Sequence, residues 1–222
     1  VENTPAGCDT RGVVARLAAV GVTTVHEAQG RRGLLAPSMR PIQEGTRIAG
    51  TAVTVLCQPG DNLMIHHAVE HCREGDVLVV AMAKPSSAGV LGELLATSLR
   101  AHGVVAAVVD AGVRDVAALR AMAFPVWSRW ISAQGSTKTG AGTVNETVVC
   151  GGQQVSTGDV IVADDDGVVC VPAAQSASVA VGAEERAAHE HQVRSRLAAG
   201  ELTVDLLHLR APGAEDRTAA AE

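Results

Sequence analysis

The chain has 222 residues, 47% of them hydrophobic and 19% charged, a balance that supplies a sizeable core and excludes a disordered chain. One Phe, two Trp and no Tyr leave an aliphatic core, without the aromatic platforms on which nucleic-acid modules stack bases. The net charge of −6 likewise argues against a nucleic-acid partner.

Short β-branched runs alternate with Ala/Leu-rich stretches, which predicts an α/β fold. Residues 13–20 read as a helix stopped by Gly21, and Thr23 or Thr24 offers the cap for a second short helix through Gln29. Residues 47–57 alternate as a strand does. Asp61 or Asn62 then caps a helix reaching Cys72, and the turn Glu74-Gly75-Asp76 leads into a strand over 77–81. A loop over 82–92 precedes a helix over 93–102 that Gly103 ends. The run 104–109 is wholly apolar, the pattern of a strand buried on both faces. A turn over 110–114, a helix over 115–122 and a short strand near Pro125 follow.

From Asn145 onward the pattern turns to strands, at 147–150, 160–163 and 168–171. Asp164-Asp165-Asp166-Gly167 makes a tight, solvated turn between the last two. An Ala-rich helix runs from about 176 to 199, and residues 211–222 read as a disordered tail. Without a repeat or a linker, residues 1–210 are expected to form a single domain.

No apolar run reaches the ~18 residues of a membrane span, and Val1-Glu2-Asn3-Thr4-Pro5 lacks the basic and apolar regions of a secretion signal. The five cysteines are scattered and never form a CxxC pair, so they read as reduced thiols of a cytoplasmic protein.

The segments with most chemistry in them are Gly92-Glu93-Leu94-Leu95 and Arg114-Asp115. The first opens a helix, whose free amides suit a carboxylate or phosphate. The second follows a buried strand, where α/β sheets place their ligands. Arg114 offers a planar fork for an oxyanion, and Asp115 a ligand for a divalent cation. The plainer reading has Asp115 capping its own helix and Arg114 paired with a surface acid.

At this point the chain resembles the metal-dependent class II pyruvate aldolases of the 4-hydroxy-4-methyl-2-oxoglutarate / 4-carboxy-4-hydroxy-2-oxoadipate type. That family also holds the RraA-like regulators of RNase E. The resemblance runs from about Gly21 to Asp205. It is densest in Thr24-Val25-His26-Glu27-Ala28-Gln29-Gly30, Cys72-Arg73-Glu74-Gly75-Asp76, Leu94-Leu95-Ala96-Thr97-Ser98, Asp110-Ala111-Gly112-Val113-Arg114-Asp115 and Val162-Ala163-Asp164-Asp165-Asp166-Gly167.

The resemblance implies a layered α/β sandwich with a central mixed sheet and a long C-terminal helix. By the same resemblance Asp115 binds Mg²⁺ or Mn²⁺, Arg114 contacts the pyruvyl oxygens and steadies the enolate, and the backbone of Gly92, Glu93, Leu94 and Leu95 holds the pyruvyl carboxylate. Glu93, where the family usually has Asp, orders metal-bound water, and Glu190 is the acid that reaches a neighbouring subunit's site in a trimer or hexamer. The implied activity is retro-aldol cleavage of a 4-hydroxy-2-oxo acid in aromatic-compound breakdown, giving pyruvate plus oxaloacetate or pyruvate. Oxaloacetate decarboxylation would be a companion activity.

The chemistry is consistent with that assignment. The enolate needs an electron sink, either a Schiff base on a buried lysine or a divalent Lewis acid. The chain's two lysines, Lys84 and Lys138, fall in Gly/Ser/Pro-containing loops that read as exposed, which leaves the metal. The alternative is an RraA-like regulator that binds RNase E or a helicase, toward which Ala118 leans, standing where the aldolases commonly carry an acid. His67-Ala68-Val69-Glu70-His71 matches the H-x-x-E-H pattern of inverted zinc peptidases, but it reads better as an amphipathic helix. Residues 135–140 have phosphate-loop residue types in the wrong order and read as a flexible loop near the site's mouth.

Overall fold

A strand with apolar side chains at every position has no face to turn to water, so it belongs in the middle of a sheet with layers on both sides. The computed structural model describes residues 10–210, so the tail expected over 211–222 lies outside the described residues. The chain opens with helices α1 (Thr10–Val20) and α2 (Val22–Ala28), then strands β1 (Arg40–Pro41) and β2 (Ile48–Cys57) and helix α3 (Leu63–Ala68). Strands β3 (Asp76–Met82) and β4 (Gly89–Leu91), helix α4 (Glu93–Ala101), strand β5 (Ala106–Val113), helix α5 (Val116–Ala121) and strand β6 (Val126–Ile131) form the middle. After them come β7 (Thr143–Val144), β8 (Val148–Cys150), β9 (Gln153–Val155), β10 (Val160–Asp164), β11 (Gly167–Val171), and helices α6 (Ser176–Ala198) and α7 (Thr203–Leu206).

The main sheet is mixed, in the order β1-β6-β5-β3-β2-β10-β11, with β4 on β5 and β7 on β2. Pairs β2–β3, β3–β5 and β5–β6 are parallel, whereas β1, β10 and β11 run antiparallel to their neighbours. Period-two alternation divides each central strand between two cores. Leu78 and Val80 of β3 join Ala107 and Val109 of β5 on the face covered by Ile65, Leu95, Leu99 and Leu119 from the helices. Val77, Val79, Ala106 and Val108 face the other way, against Trp127, Val148 and Val155. A third cluster packs α1, α2 and the start of α6 onto β10 and β11. The α/β sandwich with a central mixed sheet and a long C-terminal helix is what the resemblance implied.

Some local expectations give way. The buried strand runs past 109 to Val113 instead of turning at Asp110. Asp110 stays in the strand because its charge is met, by Arg129 Nε of β6 and by the amide of Gly151 at 2.8 Å. The loop expected over 82–92 contains β4, and the residues leading into it lie so close to β5 that a Cβ on Gly112 would stand 2.2 Å from the Ser87 carbonyl oxygen. Helix α2 is not capped by Thr23 or Thr24. Its N-cap position is Gly21, and Asp164 Oδ2 accepts the Val22 amide at 2.9 Å. Asp164 is therefore buried at the end of β10 and does not belong to a solvated turn.

The described residues fall into two compact units, the first ending at Glu184 and the second beginning at Glu185. The first holds the sheet. The second comprises the remainder of α6 together with α7, where Arg196 Nε binds Glu201 Oε1 at 2.9 Å. Cys57, Cys72, Cys150 and Cys170 are free and buried; burial pushes the Cys57 and Cys72 thiols up to about 12. Among the described residues no helix is long and apolar enough to cross a membrane.

Candidate active site

The site forms where β5 ends. The Arg114 amide donates to the Leu91 carbonyl oxygen at 2.9 Å, tying the end of β5 to the end of β4. Asp115 then takes a left-handed backbone conformation, φ 56° and ψ 35°, that L-residues rarely adopt. It occupies the N-cap position of α5 but makes no side-chain cap bond. Instead its Oδ2 accepts the backbone amide of Glu93 at 3.2 Å, across on α4. The capping role for Asp115 therefore does not describe this residue. Its Oδ1 has no hydrogen-bond partner among the described residues.

Gly92 allows that approach, since a Cβ there would stand 2.4 Å from Asp115 Oδ2 and 2.9 Å from Arg114 Cγ. Arg114 Nε lies 3.7 Å from the same Oδ2, with both side chains close to half exposed. The guanidinium thus keeps donors for a ligand instead of closing a tight ion pair.

Helix α4 starts at this point. Leu95, Ala96 and Leu99 bury its inner face, while Leu94 is 83% exposed beside the site. A helix leaves its first-turn amides without intrahelical acceptors. That of Glu93 goes to Asp115, and Leu94 and Leu95 line a cavity of about 70 Å³ with Asn62, His66, Arg114 and Lys138.

Lys138 reaches the cavity because its loop is pinned. Asp61, 2% exposed, accepts Thr137 Oγ1 and the Thr139 amide at 2.7 Å each through Oδ2, and the Leu63 amide at 2.9 Å through Oδ1. Burial raises the Asp61 pKa, but these donors and the Gly140 amide outweigh it and hold the carboxyl at about 2. Burial, then the charge of Lys138, pull the His66 pKa below its ordinary value, so His66 is neutral near pH 7. A larger hollow of about 330 Å³ lies near Ala49, Thr51 and Gly75, at the amino ends of β2 and β3. The carboxyl ends, where parallel strands present ligands, belong to the smaller cavity.

Of the residues expected at the site, Gly92, Leu94, Leu95, Arg114 and Asp115 come together with the Glu93 backbone. The Glu93 side chain is exposed and has no partner among the described residues. Glu190 belongs to the second unit, where it accepts from Arg186 Nε at 2.9 Å. Asn62, His66 and Lys138 complete the cavity; the sequence marks Asn62 only as a possible cap and Lys138 as a loop lysine, and it assigns His66 no role.

Among the described residues no group of three or more His, Cys, Asp or Glu could hold a metal ion, which leaves the H-x-x-E-H segment without a metal centre. A Mg²⁺-type ion needs less protein than that. It is commonly held by one or two carboxylates and completed by water and substrate. Asp115, half exposed and with one oxygen uncommitted, fits that role.

The comparisons with known proteins bear on the family and the fold. A protein-family model described as RraA-like, Aldolase/RraA, matches residues 6–170. A protein of Halalkalibacterium halodurans named "Putative 4-hydroxy-4-methyl-2-oxoglutarate aldolase" is 29% identical over 177 residues, 80% of this chain and 84% of that one. The structure of an uncharacterized Pseudomonas syringae protein shares the fold, with a TM-score of 0.81 at 23% identity over 95% of this chain and 98% of the other. Streptomyces coelicolor RraAS2, described as an unusual member of the RNase ES inhibitor RraA family, aligns with a TM-score of 0.75 at 26% identity, over 87% of this chain and 99% of its own. The chain belongs to the Aldolase/RraA family.

Proposed function

We propose that this protein is a divalent-metal-dependent aldolase that cleaves a 4-hydroxy-2-oxo acid and releases pyruvate. One observation carries the reading: Asp115 sits at a helix start in a left-handed conformation, yet turns its carboxylate away from that helix to the N-terminus of α4, beside Arg114. The likeness to the Halalkalibacterium halodurans protein supports the same reading.

Asp115 would hold Mg²⁺ or Mn²⁺, and the ion would supply a Lewis acid toward the 2-oxo and carboxylate oxygens. The chain's own groups do the rest. The amides at the start of α4 bind the pyruvyl carboxylate. Arg114 presents its fork to the oxygen on which negative charge collects as C3–C4 breaks. Glu93 takes the 4-hydroxyl proton through an ordered water, and the enolate is then protonated at C3 to give pyruvate. The same arrangement would suit decarboxylation of oxaloacetate, which passes through the same enolate. In a trimer or hexamer, Glu190 of a second copy would bring a further acid.

The test is pyruvate release from 4-carboxy-4-hydroxy-2-oxoadipate with Mg²⁺ and with EDTA, read as NADH oxidation by lactate dehydrogenase. Release that EDTA abolishes and Mg²⁺ restores is expected. A second reading, a regulatory protein that binds an RNase, draws on the likeness to RraAS2 and on Ala118. Absence of release from folded protein with any divalent metal would favour it.

A further inference from the structure

A polar hollow of about 370 Å³ lies at the opposite end of the parallel strands from Arg114, a volume ordinary for a small-molecule site. Arg73 and Asp76 line it from the turn that enters β3, and Asn145 and Thr157 from the segments that follow β7 and β9. Glu70 and His71 line it too.

The turn fixes the first pair. The Arg73 amide donates to Asp76 Oδ2 at 2.7 Å, and the Asp76 amide donates to the Arg73 carbonyl oxygen at 3.1 Å. Asp76 stands on the first rung of the parallel β2–β3 pair, opposite Thr51. Yet the two side chains do not close on each other. The Arg73 guanidinium makes no ion pair or hydrogen bond among the described residues, and Asp76 Oδ1 accepts none there. Burial pushes the Asp76 pKa up, and the Arg73 amide and charge do not cancel that push.

Asn145 supplies a third group. Its backbone is left-handed, φ 64°, a conformation Asn tolerates better than most residues. Its Oδ1 accepts the Thr157 hydroxyl at 3.1 Å. That bond leaves Nδ2 as the free end of the carboxamide, a donor with no partner among the described residues.

One small ligand satisfies all three groups only if it carries both charges. A simple anion would answer Arg73 and Asn145 but meet Asp76 and Glu70 as like charges, and a simple cation would do the reverse. Among the described residues no group of three or more His, Cys, Asp or Glu could hold a metal ion here. We infer that this hollow binds a free α-amino acid, its carboxylate on Arg73 and Asn145 Nδ2 and its ammonium on Asp76. The site stands apart from the aldolase reading and does not depend on it.

The test begins with thermal unfolding of the full chain in the presence of each of the twenty common amino acids at about 10 mM. At least one should raise Tm. Calorimetric titration then compares that amino acid with its desamino and decarboxylated analogues, each of which keeps one charge and should bind at least tenfold more weakly. Arg73→Gln and Asp76→Asn should each weaken the amino acid by a similar factor, whereas Arg114→Lys should bind it as the wild type does. No rise in Tm with any of the twenty, an analogue that binds as tightly, or binding that survives Arg73→Gln would overturn the inference. Binding lost in Arg114→Lys would also overturn it, by moving the ligand to the other end of the sheet. If Asp76→Asn does not fold, Arg73→Gln, at an exposed side chain, still decides.

Discussion

Replacing Gly92 by alanine adds one methyl group where the two halves of the site meet. The backbone at Gly92 is extended, φ −145° and ψ −167°, so alanine adopts it without strain and any effect must come from contact. The new Cβ would lie 2.4 Å from Asp115 Oδ2 and 2.9 Å from Arg114 Cγ, where real Cβ atoms keep at least 3.0 Å. The carboxylate must therefore retreat by about 0.6 Å, which stretches a bond to the Glu93 amide that is already 3.2 Å long. Both obstructing groups are side chains near half exposure, so the fold can absorb the shift, and stability should change by less than about 1 kcal/mol. Catalysis is less tolerant. A displacement of ~1 Å can cost about 100-fold, so Gly92→Ala should lower kcat/KM by roughly 10- to 50-fold, about 1.5–2.5 kcal/mol. The assays are metal-dependent pyruvate release, Mn²⁺ affinity by titration, and thermal unfolding. Wild-type kcat/KM with wild-type Mn²⁺ affinity would refute the placement of Asp115, and a collapse of Tm would show that Gly92 serves the fold.

Arg114→Lys keeps the charge but loses the planar fork, so kcat/KM should fall by about 100-fold with Tm little changed; a loss under threefold would show that only charge matters there. Asp61→Asn loses a carboxylate that takes three donors and should destabilise the protein by about 1–3 kcal/mol, visible in denaturant unfolding. The wild type should show the matching pH dependence. Because folding holds the Asp61 carboxyl at about 2 instead of 3.8, it contributes about 2 kcal/mol of stability above pH ~4 that fades as the pH falls toward 2. The gap between wild type and Asp61→Asn should narrow over that window, and a constant gap would rule the linkage out.

Most of the fold was legible because its central strands carry their own signal. The apolar run at 104–109 fits a strand buried on both faces, and Gly92 and Gly103 bound the helix before it. The misread places are those where a distant residue decides. Asp110 looks like a turn residue until Arg129, nineteen positions on, neutralises it inside the sheet. Thr23 and Thr24 look like caps for α2, but the acceptor is Asp164, 142 positions away. The same division runs through the site. Gly92–Leu95 and Arg114-Asp115 each adjoin a strand end, so local pattern and resemblance place them. Lys138 is brought to the cavity by bonds from its loop to Asp61, 76 and 78 positions apart, which no local pattern records. Asp61 itself reads as a simple cap, and one of its oxygens is that, on the Leu63 amide; the other organises the loop.

The conformation of Asp115 separates a functional account of this site from a purely structural one. An aspartate at an N-cap normally accepts from its own helix, worth about 1 kcal/mol, and Asp115 makes no such bond. A left-handed backbone costs a residue with a Cβ a further ~1 kcal/mol or more, which glycine would avoid. On stability alone, then, the position suits a glycine, or an acid that caps α5. The carboxylate instead lies against the start of α4, with Oδ2 held by the Glu93 amide and Oδ1 uncommitted. Its bond to Glu93 offsets part of the cost and leaves the exposed oxygen unexplained by folding. Asp115 is one of several described non-glycine residues with positive φ; what distinguishes it is its place beside an arginine and a helix N-terminus at the carboxyl end of a buried strand, the pattern expected where ligand binding shapes the choice of side chain.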